Sequence, residues 1–467
     1  MRYYSTRNRG EAVNFRSAVF NGLAPDGGLY VPEEIPPYSQ AVKSSLGKMD
    51  FRDIAFETIK PYVHDEIPDS TLRDIVSSAY PFSAPLVPAG DRLILELFHG
   101  PTAAFKDFGA RFMAQAFSWL RRGETKPLRI LTATSGDTGG AVADGFFDIP
   151  GISVTVLYPK GRITPLQEKQ IAGLGKNISA LAVEGSFDDC QKLAKTALAD
   201  KDLKKKFTLS SANSINIARL IPQAVYYASA AGMAFAGKIN LDNKATPRVF
   251  GFIATADESG TYGVDGKRYR SVSLNKGTPI TLCVPSGNFG NLTAGLYAMK
   301  MGAPILQFIA ATNVNKTVPD YLASGEYLPR DSKATISNAM DVGAPSNFER
   351  MSAHFSHEEM RRIILGVSVS DDETRDTIER VYREAGYYID PHSAVGWKGV
   401  DKLRAENKTG DGQVGILATA HPYKFSEIVK PLIGSVPVPS SLAAAMERTV
   451  KAKTIPADYK AFVGALV

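Results

Sequence analysis

From residue 90 onward, short apolar runs alternate with segments whose apolar positions recur every three to four residues. Leu93 to Phe98 reads as a buried strand, and apolar residues at 108, 112, 113, 116, 117 and 120 follow with helical spacing. The same alternation recurs in Leu128–Thr134 with the helix after it, and in Ile152–Tyr158 with a helix near 165–174. It continues in Ser179–Val183 with a helix near 186–199. Further on, the pattern predicts strands at Pro279–Val284, Pro304–Ala310 and from Val414, a helix from Leu292 to Met299, and two more helices within 350–410. Strands alternating with helices imply βαβ units, a parallel sheet and an α/β fold. Ligand sites in such sheets lie where strands run into loops at their carboxyl ends.

Residues 1 to about 90 are different. They mix turn signals such as Pro25-Asp-Gly-Gly28 with amphipathic helices near 50–63 and 70–79, and read as an N-terminal domain that packs on the rest. Residues 235–278 turn polar and glycine-rich without a clean period, which predicts an inserted surface excursion.

Composition narrows the class of protein. The 467-residue chain is 44% hydrophobic and 22% charged, ordinary for a globular protein of two or three domains. Its net charge of +6 is mild and scattered; the densest cluster, Lys201 and Lys204 to Lys206, sits at a helix end beside Asp200 and Asp202. No stretch interleaves aromatic and basic residues, which argues against a nucleic-acid partner. Cys190 and Cys283 lack metal-ligand spacing and read as structural thiols of a reducing compartment. The first residues carry no signal-peptide core and no apolar run reaches membrane-spanning length, so a cytoplasmic protein without a membrane partner is expected.

Three loops carry the chemistry. Lys106 sits where the first of these helices begins, and unpaired N–H groups with the positive dipole end disfavour a cation there. Such an amine is prone to be neutral, the state that attacks a carbonyl or forms a Schiff base. By itself this stretch fits a surface lysine in a first helical turn equally well. Ser211 to Leu220 places hydroxyls, amides and Arg219 at a helix start, suited to an anion, although a capped helix with an exposed arginine explains it alone. Pro285 to Asn291 is a glycine-rich strand-to-helix turn, the geometry of a phosphate cradle. It has neither the Lys-Ser/Thr ending of a nucleotide loop nor the dinucleotide fingerprint. His392 and His421, each beside a proline, read as structural or surface residues, and no metal motif or Ser/His/Asp order emerges.

A reactive lysine with a separate phosphate site suggests pyridoxal 5′-phosphate. At this point the chain also resembles a family. The motifs are Gly22-Leu-Ala-Pro-Asp-Gly-Gly-Leu-Tyr-Val-Pro32, His99-Gly-Pro-Thr-Ala-Ala-Phe-Lys-Asp-Phe108 and Thr132-Ala-Thr-Ser-Gly-Asp-Thr-Gly139. They continue in Ser211-Ala-Asn-Ser-Ile-Asn-Ile-Ala-Arg219, Val284-Pro-Ser-Gly-Asn-Phe-Gly290 and Thr419-Ala-His-Pro422. In that order, along nearly the whole chain, they resemble the threonine synthases, in the longer branch found in many bacteria and fungi.

The resemblance implies a tryptophan-synthase-like, fold type II pyridoxal phosphate enzyme. It implies an N-terminal domain (1–90), a large cofactor domain (91–120 and 235–467) and a smaller domain (121–234) that closes on substrate. Lys106 would carry the cofactor. Gly287, Asn288, Phe289, Gly290 and Asn291 would hold its phosphate, and Thr419 would face the pyridine nitrogen. Asp137 stands where many relatives of this fold type place Asn near the ring oxygen, and Asn291 replaces an Asp common in the branch. Thr138, Ser214 and Arg219, with Asn288, would meet the substrate phosphate. The implied reaction takes O-phospho-L-homoserine and water to L-threonine and phosphate, in a monomer or weak homo-oligomer. A lyase ending at 2-oxobutyrate and a non-catalytic phosphometabolite sensor are the alternatives; the intact Lys106 disfavours the second.

Overall fold

The computed structural model describes residues 1–134, 136–239, 261–264, 267–270, 274–409 and 412–466. Most of the 235–278 excursion expected from the sequence lies outside the described residues. The remainder is built around two sheets. The larger has six strands in the order Ile364–Ser368, Ile305–Thr312, Ile280–Pro285, Val414–Ala418, Arg92–Glu96 and Leu86–Ala89. All its pairs are parallel except the last, a hairpin. The smaller has five parallel strands in the order Ala452–Pro456, Ile178–Glu184, Ile152–Pro159, Leu128–Ala133 and Thr208–Ser211.

The central strands are the apolar runs, because a parallel sheet covered by helices on both faces buries every position. Arg92–Glu96, Ile280–Pro285 and Val414–Ala418 are buried along their whole length. Helix starts follow local chemistry. Thr164, Ser186, Ser356 and Ser370 each form a reciprocal capping box with the residue three positions on.

Three of the strands not expected from the sequence lack that apolar signature or fall in a helical context. Thr208–Ser211 is polar and Ala452–Pro456 has only Ile455 buried, since it forms a sheet edge. Ile364–Ser368 follows directly on the helix His357–Ile363, so its short apolar run was hidden by helical periodicity. These strands redraw the expected partition. Ala452–Pro456 joins the smaller sheet, although residues 235–467 were assigned to the large domain. A boundary at residue 90 falls in the hairpin turn between Leu86–Ala89 and Arg92–Glu96, so the first of these strands belongs to the large sheet.

The N-terminal residues pack a ring cluster against helices Gly290–Met301 and Phe348–His354. The Tyr3 hydroxyl donates to the Tyr62 carbonyl at 2.8 Å, and the Tyr62 and Tyr297 rings stack with centroids 6.5 Å apart. The Tyr297 hydroxyl meets His354 Nε2 at 2.9 Å. Burial, with Lys300, Arg9 and Arg350 nearby, pushes His354 down to about 4. Its folded-state pKa is depressed, so between about pH 6.5 and 4 the unfolded chain takes up a proton that the folded chain refuses. This site therefore costs stability as pH falls through that window, by about 1.4 kcal/mol per pH unit. Thermal denaturation of His354→Gln from pH 7 to 4.5 is expected to show a shallower loss of stability than the parent; parallel curves would show that His354 titrates normally.

Candidate active site

The carboxyl ends of both sheets converge on one cavity of about 460 Å³. Strand Arg92–Glu96 leads to Lys106, the first residue of helix Lys106–Leu120. Strand Val414–Ala418 leads to Thr419, and backbone bonds from Phe105 to the Thr419 carbonyl (2.9 Å) and from His421 to the Ala103 carbonyl (3.0 Å) fasten the two loops together. Strand Ile280–Pro285 runs into the glycine-rich turn, strand Leu128–Ala133 into Asp137 and Thr138, and strand Thr208–Ser211 into Ser214 and Arg219. All eleven residues singled out from the sequence line this cavity: Lys106, Asp137, Thr138, Ser214, Arg219, Gly287, Asn288, Phe289, Gly290, Asn291 and Thr419.

Lys106 keeps 16% side-chain exposure, and its amine lies 3.9 Å from Asp137 Oδ2. Its pKa is lowered chiefly by loss of water. Asp137 and Asp390 oppose that change, and Lys424 and Arg219 reinforce it. The direction agrees with the sequence expectation, and burial beside Lys424 and Arg219 contributes to it. Burial would push Asp137 up. Lys424 and Lys106 beside it, with hydrogen bonds from Lys424 and Gln167, instead hold its carboxyl well below the usual range. The turn before it is set by Gly136, at φ 142°, and by the Thr134 hydroxyl, which accepts from the Gly136 and Gly139 amides at 2.9 Å.

The phosphate cradle is made of backbone. Phe289 adopts a left-handed conformation (φ 60°), and helix Gly290–Met301 begins after it without a side-chain cap, leaving a helix N-terminus open to an anion. The asparagine side chains are otherwise engaged. Asn291 donates to the Pro285 carbonyl at 2.9 Å, and Asn288 donates to Ser214 Oγ at 2.6 Å while its Oδ1 accepts from the Ser346 amide. The Ser214 hydroxyl thus accepts from Asn288 and keeps its own proton for an anion. Arg219 is buried rather than exposed; burial pushes it down to about 10, with Asp107 opposing, so it stays a cation at neutral pH. Helix Lys106–Leu120 comes close enough because residue 109 is glycine. A Cβ there would lie 2.6 Å from the Arg219 carbonyl oxygen.

Four residues of this neighbourhood were not singled out as site residues from the sequence. Lys424, fully buried, pairs with Asp137 at 2.9 Å. Gln167 Nε2 reaches the same carboxylate oxygen at 2.9 Å. His392, read as structural or surface, lines the cavity; its Nδ1 meets Asp390 at 2.6 Å and its Nε2 accepts from the Ala339 amide at 3.2 Å. Arg350, with no exposed surface, binds the Tyr30 carbonyl at 3.0 Å, the Ser214 carbonyl at 3.2 Å, Asn347 Oδ1 at 2.8 Å and the Ile215 carbonyl. Only the Asp390-Pro-His turn stood out in the sequence; single lysines and arginines among 54 give no signal before folding.

The donor set fits pyridoxal phosphate: a largely buried amine, an uncapped helix N-terminus and the Thr419 hydroxyl share one cavity. A family model described as "Pyridoxal-phosphate dependent enzyme" matches residues 92–238 and 269–420, which defines the class. Maize serine racemase, at 14% identity and a TM-score of 0.51, shares the fold. Two narrower models, "Threonine synthase N terminus" and "Threonine synthase, C-terminal", match residues 2–80 and 393–465. The chain is 39% identical over 464 residues to threonine synthase of Escherichia coli, covering 99% of this chain and 98% of that protein. With the Saccharomyces cerevisiae threonine synthase it shares 34% over 489 residues, 91% of this chain and 88% of the other. The E. coli crystal structure superposes with a TM-score of 0.82 at 38% identity, covering 100% of this chain and 99% of that one. The structure of PLP-bound threonine synthase from Brucella melitensis gives 0.84 at 33%, covering 100% and 98%. The chain belongs to the threonine synthase family.

Arg350 is the strut of the anion side, since it fixes the carbonyls of residues 214 and 215 to the N-terminal segment. Replacing it with leucine leaves several buried acceptors unpaired, each at a cost of about 1–3 kcal/mol. Arg350→Leu is expected to lower the melting temperature by several degrees and to raise KM more than it lowers kcat; an unchanged KM in folded protein would remove the strut role.

Proposed function

We propose that this cavity converts O-phospho-L-homoserine and water to L-threonine and phosphate, with Lys106 carrying pyridoxal phosphate and serving as its base. The observation that carries this reading is the coexistence of two anion-binding elements around one largely buried lysine. The backbone amides of 287–291 provide one, for the cofactor's phosphate. Ser214 and Arg219, with Thr138 at the start of helix Asp137–Gly145, provide the other, for the phosphate of the substrate. A dehydratase acting on an unphosphorylated amino acid needs only the first.

Bound pyridoxal phosphate supplies the electron sink that makes the substrate's Cα and Cβ protons acidic. The Lys106 amine, once released, is the base for the protons at Cα and Cβ, moved one at a time. Ser214 and Arg219 bind the leaving phosphate as the Cγ–O bond breaks, and Lys106 delivers one of the two protons to Cγ. The hydroxyl of water then bonds to Cβ while the water's proton passes to the released phosphate, and Lys106 returns the other proton to Cα, which balances the overall exchange of phosphate for hydroxyl. Thr419, which lines the cavity, would offer the cofactor's pyridine nitrogen a hydroxyl rather than a carboxylate and so would not favour a charged ring. Asp137, already saturated at Oδ1 by Lys424 and Gln167, holds the charge near Lys106 fixed through these proton movements.

Among the described residues no helix is long and apolar enough to cross a membrane. The buried free thiols of Cys190 and Cys283 fit a reducing, cytoplasmic setting. Incubation of the cofactor-loaded protein with O-phospho-L-homoserine is expected to release threonine and phosphate in equal amounts, and Lys106→Ala to release neither. Phosphate accompanied by 2-oxobutyrate instead of threonine would overturn the assigned outcome.

A further inference from the structure

The unusual element of the site is a carboxylate set between two lysines. Lys424 lies in the turn Pro422–Phe425 that follows strand Val414–Ala418, with none of its side chain exposed. Its ammonium donates to Asp137 Oδ1 at 2.9 Å and to the Thr102 carbonyl at 2.7 Å. Thr102 is pinned in turn by Asp107, whose Oδ2 accepts from the Thr102 amide at 2.9 Å and whose Oδ1 accepts from its hydroxyl at 2.5 Å. Gln167 adds a second bond to Asp137 Oδ1, at 2.9 Å. The two oxygens of Asp137 therefore have different duties. Oδ1 is saturated, and Oδ2 looks toward Lys106 from 3.9 Å, beyond hydrogen-bonding reach.

We propose that Lys424 is a positioning residue for Lys106: by anchoring Asp137 through Oδ1, it prevents that carboxylate from closing a direct ion pair on the Lys106 amine. The inference rests on the reading of Lys106 as the cofactor-carrying base. A lysine clamped by a carboxylate keeps its proton and loses its nucleophilicity. The anchor holds the two groups apart and adds a second positive charge that discourages protonation of Lys106. Around Lys106 the other charged groups are Arg219 from the segment Ile217–Leu220 and Asp390 from the cap of helix Pro391–Ala405. They act in opposite directions, so the position of Asp137 decides the balance. Buried charge makes the arrangement costly to break, since an anion deprived of its partner takes whatever cation is nearest. With Lys424 absent, that cation is Lys106.

The test is the rate at which cofactor-stripped full-length protein captures pyridoxal phosphate, followed by absorbance across neutral and alkaline pH. The wild-type protein must capture the cofactor for Lys106 to hold its assigned role; absence of capture there fails that reading and not the anchor. In Lys424→Met the pH of half-maximal capture is expected to rise by about one unit or more, because Lys106 now sheds its proton against a direct ion pair. Lys424→Arg, which retains a cation, is expected to keep the wild-type profile. In the double variant Lys424→Met with Asp137→Asn the carboxylate is gone, and the midpoint returns toward wild type. This variant also buries no unpaired charge, so it reports even where the single Met substitution does not fold. A role limited to stability would lower the melting temperature and leave the capture midpoint in place. That outcome, or a double variant whose midpoint stays raised, would overturn the proposal.

Discussion

A carboxylate stripped of water must be met by positive charge, and Asp137 meets its partners across the division between the two sheets. The acid comes from the five-stranded sheet, at the end of strand Leu128–Ala133. Both lysines come from the six-stranded sheet, at the ends of Arg92–Glu96 and Val414–Ala418. Without the lysines the buried Asp137 carboxylate would lose the cations that offset its desolvation, an arrangement several kcal/mol uphill per ion. Brought together, the carboxylate offsets part of the positive charge at the place where the chemistry needs a largely buried amine. The same contact thus sets the relative seating of the sheets and the protonation of the reactive group.

Around that centre the polar loops are braced by backbone carbonyls from remote parts of the chain. The Val19 carbonyl accepts from Ser210 Oγ at 3.1 Å and Asn216 Nδ2 at 2.8 Å, and Tyr30 receives Arg350. The N-terminal segment is therefore more than a packed accessory. It supplies acceptors that hold the 210–216 loop in shape. Arg350 binds that loop and Asn347, which in turn holds the Asn288 carbonyl, so both anion sites rest on one guanidinium.

What could be read before folding follows a physical rule. Buried parallel strands leave continuous apolar runs, and glycine-rich turns at their ends leave short motifs, so the α/β architecture and the cavity-lining loops were legible. The polar edge strands Thr208–Ser211 and Ala452–Pro456 were not, because their pairing partners, rather than their composition, make them strands. Lys106 was legible from its helix start, whereas its burial beside Lys424 and Arg219 was not, because those cations arrive from distant loops. Lys424 left no trace because its meaning comes from Asp137, almost 290 positions earlier. Arg219 was legible as an anion binder but not as a buried one, since only the small Gly109 against its backbone reveals how closely it is packed.

Strand Ala452–Pro456 has a consequence for how the molecule is made. It seats on Ile178–Glu184, with Ala452 opposite Ala180. During synthesis the earlier strand stands for more than 250 residues of chain growth with one ladder of backbone groups open. At about 5–20 residues per second this interval lasts on the order of ten seconds or more. The smaller sheet cannot close before the larger one has been translated, so the two mature together, and a nascent chain caught in between carries an edge that invites pairing with a stranger.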